Sequence, residues 1–370
     1  MVLFCLFAAF QGGYAICFFM RIFSLAVAKP SQVKEHLPVS IIICAKNEAA
    51  NLKKNLPSIL SQRYSNDAGK AMYEVIVVND ASNDDTTQVL TALKQQYDNL
   101  YEVVILPDVT RNLQGKKYAL SKGVAIASHD WLLLTDADCT PASPDWLATM
   151  VAPLALGKQI VAGYGGYNHQ PGLLNAFIRW ETMHTFLQYS TYALAGIPYM
   201  AVGRNLACTK EAFLTAQQSD VWNALPSGDD DLLISIAGTP ANTAIVCDEH
   251  AFTFTNAKTS WHSWVQQKQR HLSTGKYYKT PIKLLLGAYG ISHAALWICF
   301  FALLFSHYIM PVLIIMFVRC LIYWLLWTAT TIKLREKKLI YLFPFCDIAW
   351  MVYNFAFFPY ITWKNKKQWK

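Results

Sequence analysis

A chain of 370 residues has room for one large domain or two ordinary ones, but 54% hydrophobic and 15% charged residues, with mean hydropathy +0.22, exclude a uniformly soluble globule. The net charge of +8 would suit nucleic acid, yet much of it flanks apolar segments: Lys276, Lys279 and Lys283, then Lys333, Arg335, Lys337 and Lys338, then Lys364, Lys366, Lys367 and Lys370. Cytoplasmic membrane flanks look like this, so a membrane and no nucleic acid is expected as partner. Nine cysteines without a C-x-x-C pair read as small buried hydrophobes rather than disulfides or zinc ligands.

Residues 1–28 are apolar at the start and carry Arg21 only after the apolar run, with Lys29 and Lys34 beyond it. A cleaved signal would need its positive charge in front, so a retained anchor with its N-terminus outside is expected. After Pro38 strands alternate with helices: strand 39–44, helix 48–62, strand 73–79, helix 86–97, strand 101–106, helix 116–127 and strand 131–135. This order predicts an α/β fold with a mainly parallel sheet; strand order is not readable from it. Pro171 to Leu194 reads either as a core helix or as one lying on the membrane surface. Leu284–Phe305 and Ile309–Ile332 are each long enough to span a bilayer. Residues 339–361 are apolar but interrupted by Pro344, Asp347, Asn354 and Pro359, and a re-entrant or interfacial segment would keep the basic tail cytoplasmic.

The strand Trp131 to Thr135 leads directly into Asp136-Ala137-Asp138. Ligands of open α/β sheets bind beyond the carboxyl ends of strands, and acids two apart on extended backbone point the same way, so they can hold a hard divalent cation. Alone, Asp-Ala-Asp is more often a polar turn; its companions decide. Ala45, Lys46, Asn47 and Glu48 follow the first strand, and Asn79-Asp80 ends the second, where Asp80 can receive hydrogen bonds from a base or ribose, or the stretch with Ser82 and Asp84 can cap the next helix. Gln114-Gly115-Lys116-Lys117 opens a helix, where a lysine can meet phosphate. Gly228-Asp229-Asp230-Asp231 supplies a second acidic cluster and a general base for an attacking hydroxyl. Gln267, Arg270 and His271 precede the C-terminal spans, as an acceptor entrance and diphosphate contact or as a basic juxtamembrane collar. The absence of a G-x-x-x-x-G-K-[ST] loop disfavours P-loop phosphoryl transfer. No G-x-G-x-x-G follows the first strand, which disfavours a dehydrogenase; Gly163-Tyr164-Gly165-Gly166 comes late and fits a loop.

Strand-AKNE, strand-NDASNDDT, GKKYAL, strand-TDAD, GRNLA, GDDDL and QKQRH stand in the order of the membrane-bound family 2 glycosyltransferases with a GT-A fold, which the chain resembles over about residues 38–280 and the flanking spans. The resemblance implies a GT-A (Rossmann-like) nucleotide-sugar-binding domain at 38–280, an anchor at 1–28 and a membrane region at 284–370. It implies donor contacts from Ala45, Asn47, Glu48, Asp80, Lys116, Asp136 and Arg270, and a D-x-D of Asp136 and Asp138 binding Mg2+ or Mn2+. It makes Asp229 the catalytic base, with Asp230 as the alternative because the register of a triple-Asp run is ambiguous. Gln267, His271 and Arg204 fall on the acceptor side, His271 replacing the tryptophan of Q-x-x-R-W. The function implied is inverting transfer from a nucleotide-diphosphate sugar, a UDP-sugar favoured, to a lipid or lipid-linked acceptor at the cytoplasmic face of a cell (inner) membrane by a multi-pass enzyme. Its rivals are a processive polysaccharide synthase and, from another class, a non-enzymatic nucleotide-binding transporter or receptor. The last would need intramembrane charges lining a path, for which Arg319, His293 and Asp347 are the candidates.

Overall fold

The structure is a computed structural model and describes residues 1–25, 37–107, 113, 115–223, 225 and 228–362. Gln114, Lys29, Lys34 and the basic tail Lys364, Lys366, Lys367 and Lys370 lie outside the described residues. The chain divides into two compact units, one of residues 37–168 and 198–258, the other of residues 1–25, 169–197 and 259–362. The unit built on the sheet is therefore narrower than the span 38–280: residues 169–197 and 259–280 carry apolar faces that pack with the apolar helices.

In the first unit the strands are β1 Val39–Ala45, β2 Tyr73–Asp80, β3 Leu100–Ile105, β4 Trp131–Asp136, β5 Thr140–Pro141, β6 Ile160–Gly163, β7 Gly165–Tyr167, β8 Leu206–Thr209, β9 Thr243–Val246 and β10 Thr253–Thr255. A seven-stranded sheet has the order β3-β2-β1-β4-β8-β6-β9, and β5-β10-β7 form a second, small sheet. The first four strands pair in parallel, whereas β8 runs antiparallel to both β4 and β6. Every residue of β1 and β2 is buried, as expected of strands covered by helices on both faces. Side chains alternate: Ile41, Ile43, Val75, Val77 and Leu133 meet Leu52, Leu56 and Ile59 of the helix Ala49–Leu60, together with Trp146 and Met150. On the opposite face the helix Lys116–Ile126 comes so close that a Cβ on Gly123 would lie 2.7 Å from Ile42 and 2.9 Å from Val78. Residues 163–166 differ from the loop expectation, since Gly163 ends β6 and Gly165 opens β7. A Cβ on Gly163 would lie 2.5 Å from Asn205, so the strand edge needs a residue without a side chain, and periodicity gives such strands no signal.

In the second unit, four helical segments among the described residues are long and apolar enough to cross a membrane: Val2–Ser24, Thr280–Leu303, Ile309–Lys333 and Lys337–Pro359. The last differs from the interrupted segment expected, because Phe343–Thr362 is one continuous helix. Pro344 falls in its first turn, where the N–H would have no partner in the helix, and Pro359 lies near its end, so that few residues follow the hydrogen bond it removes. Asp347 does not break it because its carboxylate accepts from His293 Nε2 at 3.2 Å, from Trp297 Nε1 at 3.0 Å and from Arg319. The helix Leu173–Leu194 lies in the interior of its unit, with Ile178, Trp180, Met183, Phe186 and Leu187 buried and with the ion pairs Arg179–Glu336 and Glu181–Lys268. Gln11 donates to Ser292 Oγ at 2.7 Å and accepts from Tyr323 at 3.0 Å, which ties the N-terminal helix to two later ones.

Breaking a buried ion pair by removing one partner strands the other, at a cost of about 3–5 kcal/mol, whereas replacing both by apolar residues costs far less. Asp347→Leu alone should therefore lower the unfolding temperature in detergent by more than Arg319→Leu and Asp347→Leu together, as followed by thermal denaturation.

Candidate active site

The chain runs outward from β1 through β2 to β3, then returns to place β4 on the other side of β1. That reversal makes a crevice at the carboxyl ends of β1 and β4. In register, Cys44 lies opposite Asp136 and Ala45 opposite Asn79, so the ends of β1, β2 and β4 are level. Asp80, fully buried, closes β2. Asn47 and Ala81 follow β1 and β2 with φ of 58° and 54°, the left-handed region that asparagine tolerates well. The two loops are tied together: Asn47 N–H donates to Ser82 Oγ at 3.0 Å, Asn83 N–H to Asn47 Oδ1 at 2.8 Å, and Glu48 N–H to Thr86 Oγ1 at 3.2 Å. Asp84 makes the helix cap considered from sequence, accepting from Thr86 N–H and Ala49 N–H at 3.1 Å each. Asn47 thus holds the loop while Glu48 fixes its own neighbour, accepting from Asn51 at 2.5 Å.

Beyond β4 the chain turns sharply, with Cys139 N–H bonded to Asp136 O at 3.0 Å. Asn55 braces the turn by donating to Ala137 O at 3.2 Å and accepting from Thr140 at 2.9 Å. One ligand atom from each of Asp136, Asp138 and Cys139 lies within 4.8 Å of the others. Asp138 reaches solvent, yet the protein atoms around it and then the charge of Asp136 push its carboxyl up, an arrangement that a cation relieves. Burial also holds the Cys139 thiol well above its ordinary range, and it sits 3.6 Å from Asp138 Oδ1 as a neutral donor. The donor set that remains is two carboxylates, which fits a hard, oxygen-seeking divalent ion such as Mg2+ or Mn2+ rather than a thiolate-seeking one. Arg204 faces the same region, but its guanidinium donates to Gly165 O, 3.0 Å from Nε, and stacks 4.6 Å from the Tyr167 ring centre.

Lys116 joins the acidic clusters. Its ammonium pairs with Asp136 and lies 3.6 Å from Asp229 Oδ2. Burial opposes its charge, but Asp136 and Asp229 outweigh burial and hold it protonated well above the ordinary lysine range. It opens its helix after Gly115, whose φ of 65° and ψ of −147° only glycine adopts without strain. Asp230 has a different environment. Its carboxylate accepts from Gly203 N–H at 2.6 Å and Asp231 N–H at 2.9 Å, capping the helix Asp231–Ala237. Gln267, Arg270 and His271 belong to the second unit, on the helix Trp261–Leu272, where Arg270 and His271 are 3.5 Å apart. Lys117 and Lys268, both buried, have no individual role in the reading from motifs, because a lysine's inward turn leaves no trace in hydropathy.

Burial, then the charge of Asp229, raises the Asp230 carboxyl from 3.8 to about 6. The folded state therefore keeps a proton that the unfolded chain has lost, and the stability this gives is full below about pH 4 and lost as pH rises through about 6. Asp230→Asn cannot ionise, so its unfolding temperature relative to the unsubstituted protein should rise between about pH 4 and about pH 7, measured by thermal scans across that range.

Residues 40–202 match the Glycosyl transferase family 2 profile. The chain is 33% identical over 135 residues to Glycosyltransferase AglE of Haloferax volcanii, covering 36% of this chain and 41% of that protein. It is 26% identical over 256 residues to Probable glycosyltransferase YdaM of Bacillus subtilis, covering 66% of this chain and 57% of that protein. In both cases the chain spans less than two thirds of the relative's length. Among solved structures it is similar to the mannosyltransferase PcManGT of Pyrobaculum calidifontis, determined in complex with GDP-Man and Mn2+. The TM-score is 0.57 at 18% identity, covering 95% of this chain and 99% of that one, which is a likeness of fold. With a GT-A-like sheet and the family profile across residues 40–202, this chain carries a domain similar to the family 2 glycosyltransferases.

Proposed function

We propose that the protein is a membrane-anchored inverting glycosyltransferase that moves a sugar from a nucleotide-diphosphate sugar to a lipid or lipid-linked acceptor at the cytoplasmic face of the membrane. The observation that carries this reading is Lys116 within reach of both Asp136 and Asp229 at the switch point of the sheet. A leaving diphosphate needs cationic neutralisation and an attacking hydroxyl needs a base, and this arrangement brings the two requirements together.

In this reading the nucleoside lies over the ends of β1 and β2, framed by Ala45, Asn47 and Glu48, with Asp80 receiving its hydrogen bonds. Asp136 and Asp138 would hold the divalent cation, which when bound neutralises the diphosphate as the sugar bond breaks. Lys116 adds its own positive charge to the departing oxygen. Asp229 takes the proton of the acceptor hydroxyl, whose oxygen attacks the anomeric carbon opposite the leaving group, so configuration inverts and no covalent enzyme intermediate forms. Asp230 is the weaker candidate for base, because two backbone N–H groups occupy its carboxylate. Arg270 is assigned to the diphosphate, and Gln267, His271 and Arg204 to the acceptor side. Four apolar helices support a multi-pass membrane placement. The helix Trp261–Leu272 belongs to the same unit as those helices and precedes one of them directly, which supports an acceptor held by the membrane. Asp347, His293, Trp297 and Arg319 are engaged with one another, and this favours the enzyme over a transporter with charges lining a path.

Purified protein should bind one of a panel of UDP-, GDP- and dTDP-sugars in a metal-dependent way, read by calorimetry with and without chelator. Asp138→Asn should lose both binding and turnover. Asp229→Asn should keep donor binding while transfer falls by about 10²- to 10⁴-fold, as loss of a general base requires. Near-normal transfer by Asp229→Asn would move the base to Asp230 or elsewhere.

A further inference from the structure

Two adjacent lysines open the helix Lys116–Ile126, and they do different things. Lys116 reaches the two acidic clusters. Lys117 is fully buried, its ammonium donates to Trp222 O at 2.6 Å, and it lies 4.6 Å from the centre of the Trp222 ring. Trp222 is itself fully buried, edge-on to Phe213 at 5.7 Å, and stands seven residues before Asp229 in the sequence. Burying an ammonium costs several kcal/mol, and an apolar side chain of similar length would fill the same space without that cost. Burial accordingly pushes the Lys117 ammonium down to about 8, and the charges of Asp229, Asp230 and Asp231 oppose that shift. A cation kept there at a loss needs a return elsewhere.

We propose that Lys117 is a positioning residue for sugar transfer: by gripping the Trp222 carbonyl it holds the helix Asp220–Asn223, which packs on the helix Asp231–Ala237, against the same helix turn whose Lys116 contacts Asp136. The helix start then sets the distance between the acid that takes the acceptor proton and the acids beside the diphosphate. Lys117 touches neither substrate, so its effect belongs to the chemical step and not to donor affinity. This inference rests on the glycosyltransferase reading above.

The test uses the full-length protein with Lys117→Met, which keeps length and loses charge and donor, beside Lys117→Arg and Trp222→Phe. Lys117→Met should leave the donor KM within about twofold and lower kcat by about tenfold to a hundredfold, the cost of a small misplacement near the reacting atoms. Its unfolding temperature reflects two opposed effects, a buried charge removed and the Trp222 carbonyl left without its donor, so kcat is compared per folded protein. Lys117→Arg, which can still donate to the carbonyl, should recover part of kcat, and Trp222→Phe, which keeps that carbonyl, should lose less than Lys117→Met. The inference is overturned if Lys117→Met has near-normal kcat, or if its loss merely follows a fall in folded fraction. Wild-type protein that neither binds nor uses any nucleotide sugar removes the glycosyltransferase reading and this inference with it. An active wild type with normal Lys117→Met removes the inference alone.

Discussion

Carboxylates gathered at the end of a parallel sheet repel one another, and the site depends on how that repulsion is balanced. Asp136 and Asp138 converge beyond β4 because the strand order turns back there, and Asp229 arrives from a segment nearly a hundred residues later in the sequence. The ammonium of Lys116 sits between the first and last of them. Gly115 permits the turn that starts its helix, and Gly123 lets that helix lie close on β1 and β2. Removing side chains at two points of one helix thus brings a charge into the acidic crevice.

The three aspartates at 229–231 show how neighbours acquire different chemistry. Asp229 faces a cation, whereas Asp230 is held by two backbone donors and is pushed toward neutrality by burial and by Asp229. Asp231 begins the helix that Asp230 caps. The separation follows from which oxygen finds which partner, and no propensity distinguishes identical residues in a row.

The second unit solves a similar problem in an apolar setting. Asp347 would interrupt a membrane-length helix if left alone, but three donors from two other helices converge on it. Gln11 and Tyr323 make a comparable polar join. Such contacts give a bundle of apolar helices a defined register, because each polar group sacrifices more when its partner slips away than an apolar contact would. The aromatic groups around Trp180, His184 and Trp350 fill the space between, with Trp180 and His184 stacked at 5.6 Å and Trp350 edge-on to His184 at 4.1 Å.

The first four strands and their helices were legible within a residue or two of most ends, since a continuous apolar run followed by an amphipathic one has few other solutions. The Asp-Ala-Asp at the end of β4 and the lysine at a helix start were legible for the same reason, being fixed by position along the chain. Short glycine-bearing β7 and the helix through Asp347 were not, because their backbone is decided by what approaches from elsewhere: Arg204 and Asn205 in one case, Arg319 and His293 in the other. The alternation of elements, the apolar segments and the kinds of acid and base present follow from the residue order alone, being local properties of composition and period. The strand order, the aspartate that faces Lys116 and the inward turn of Lys117 come from the folded packing, because each depends on contacts between residues far apart in the chain.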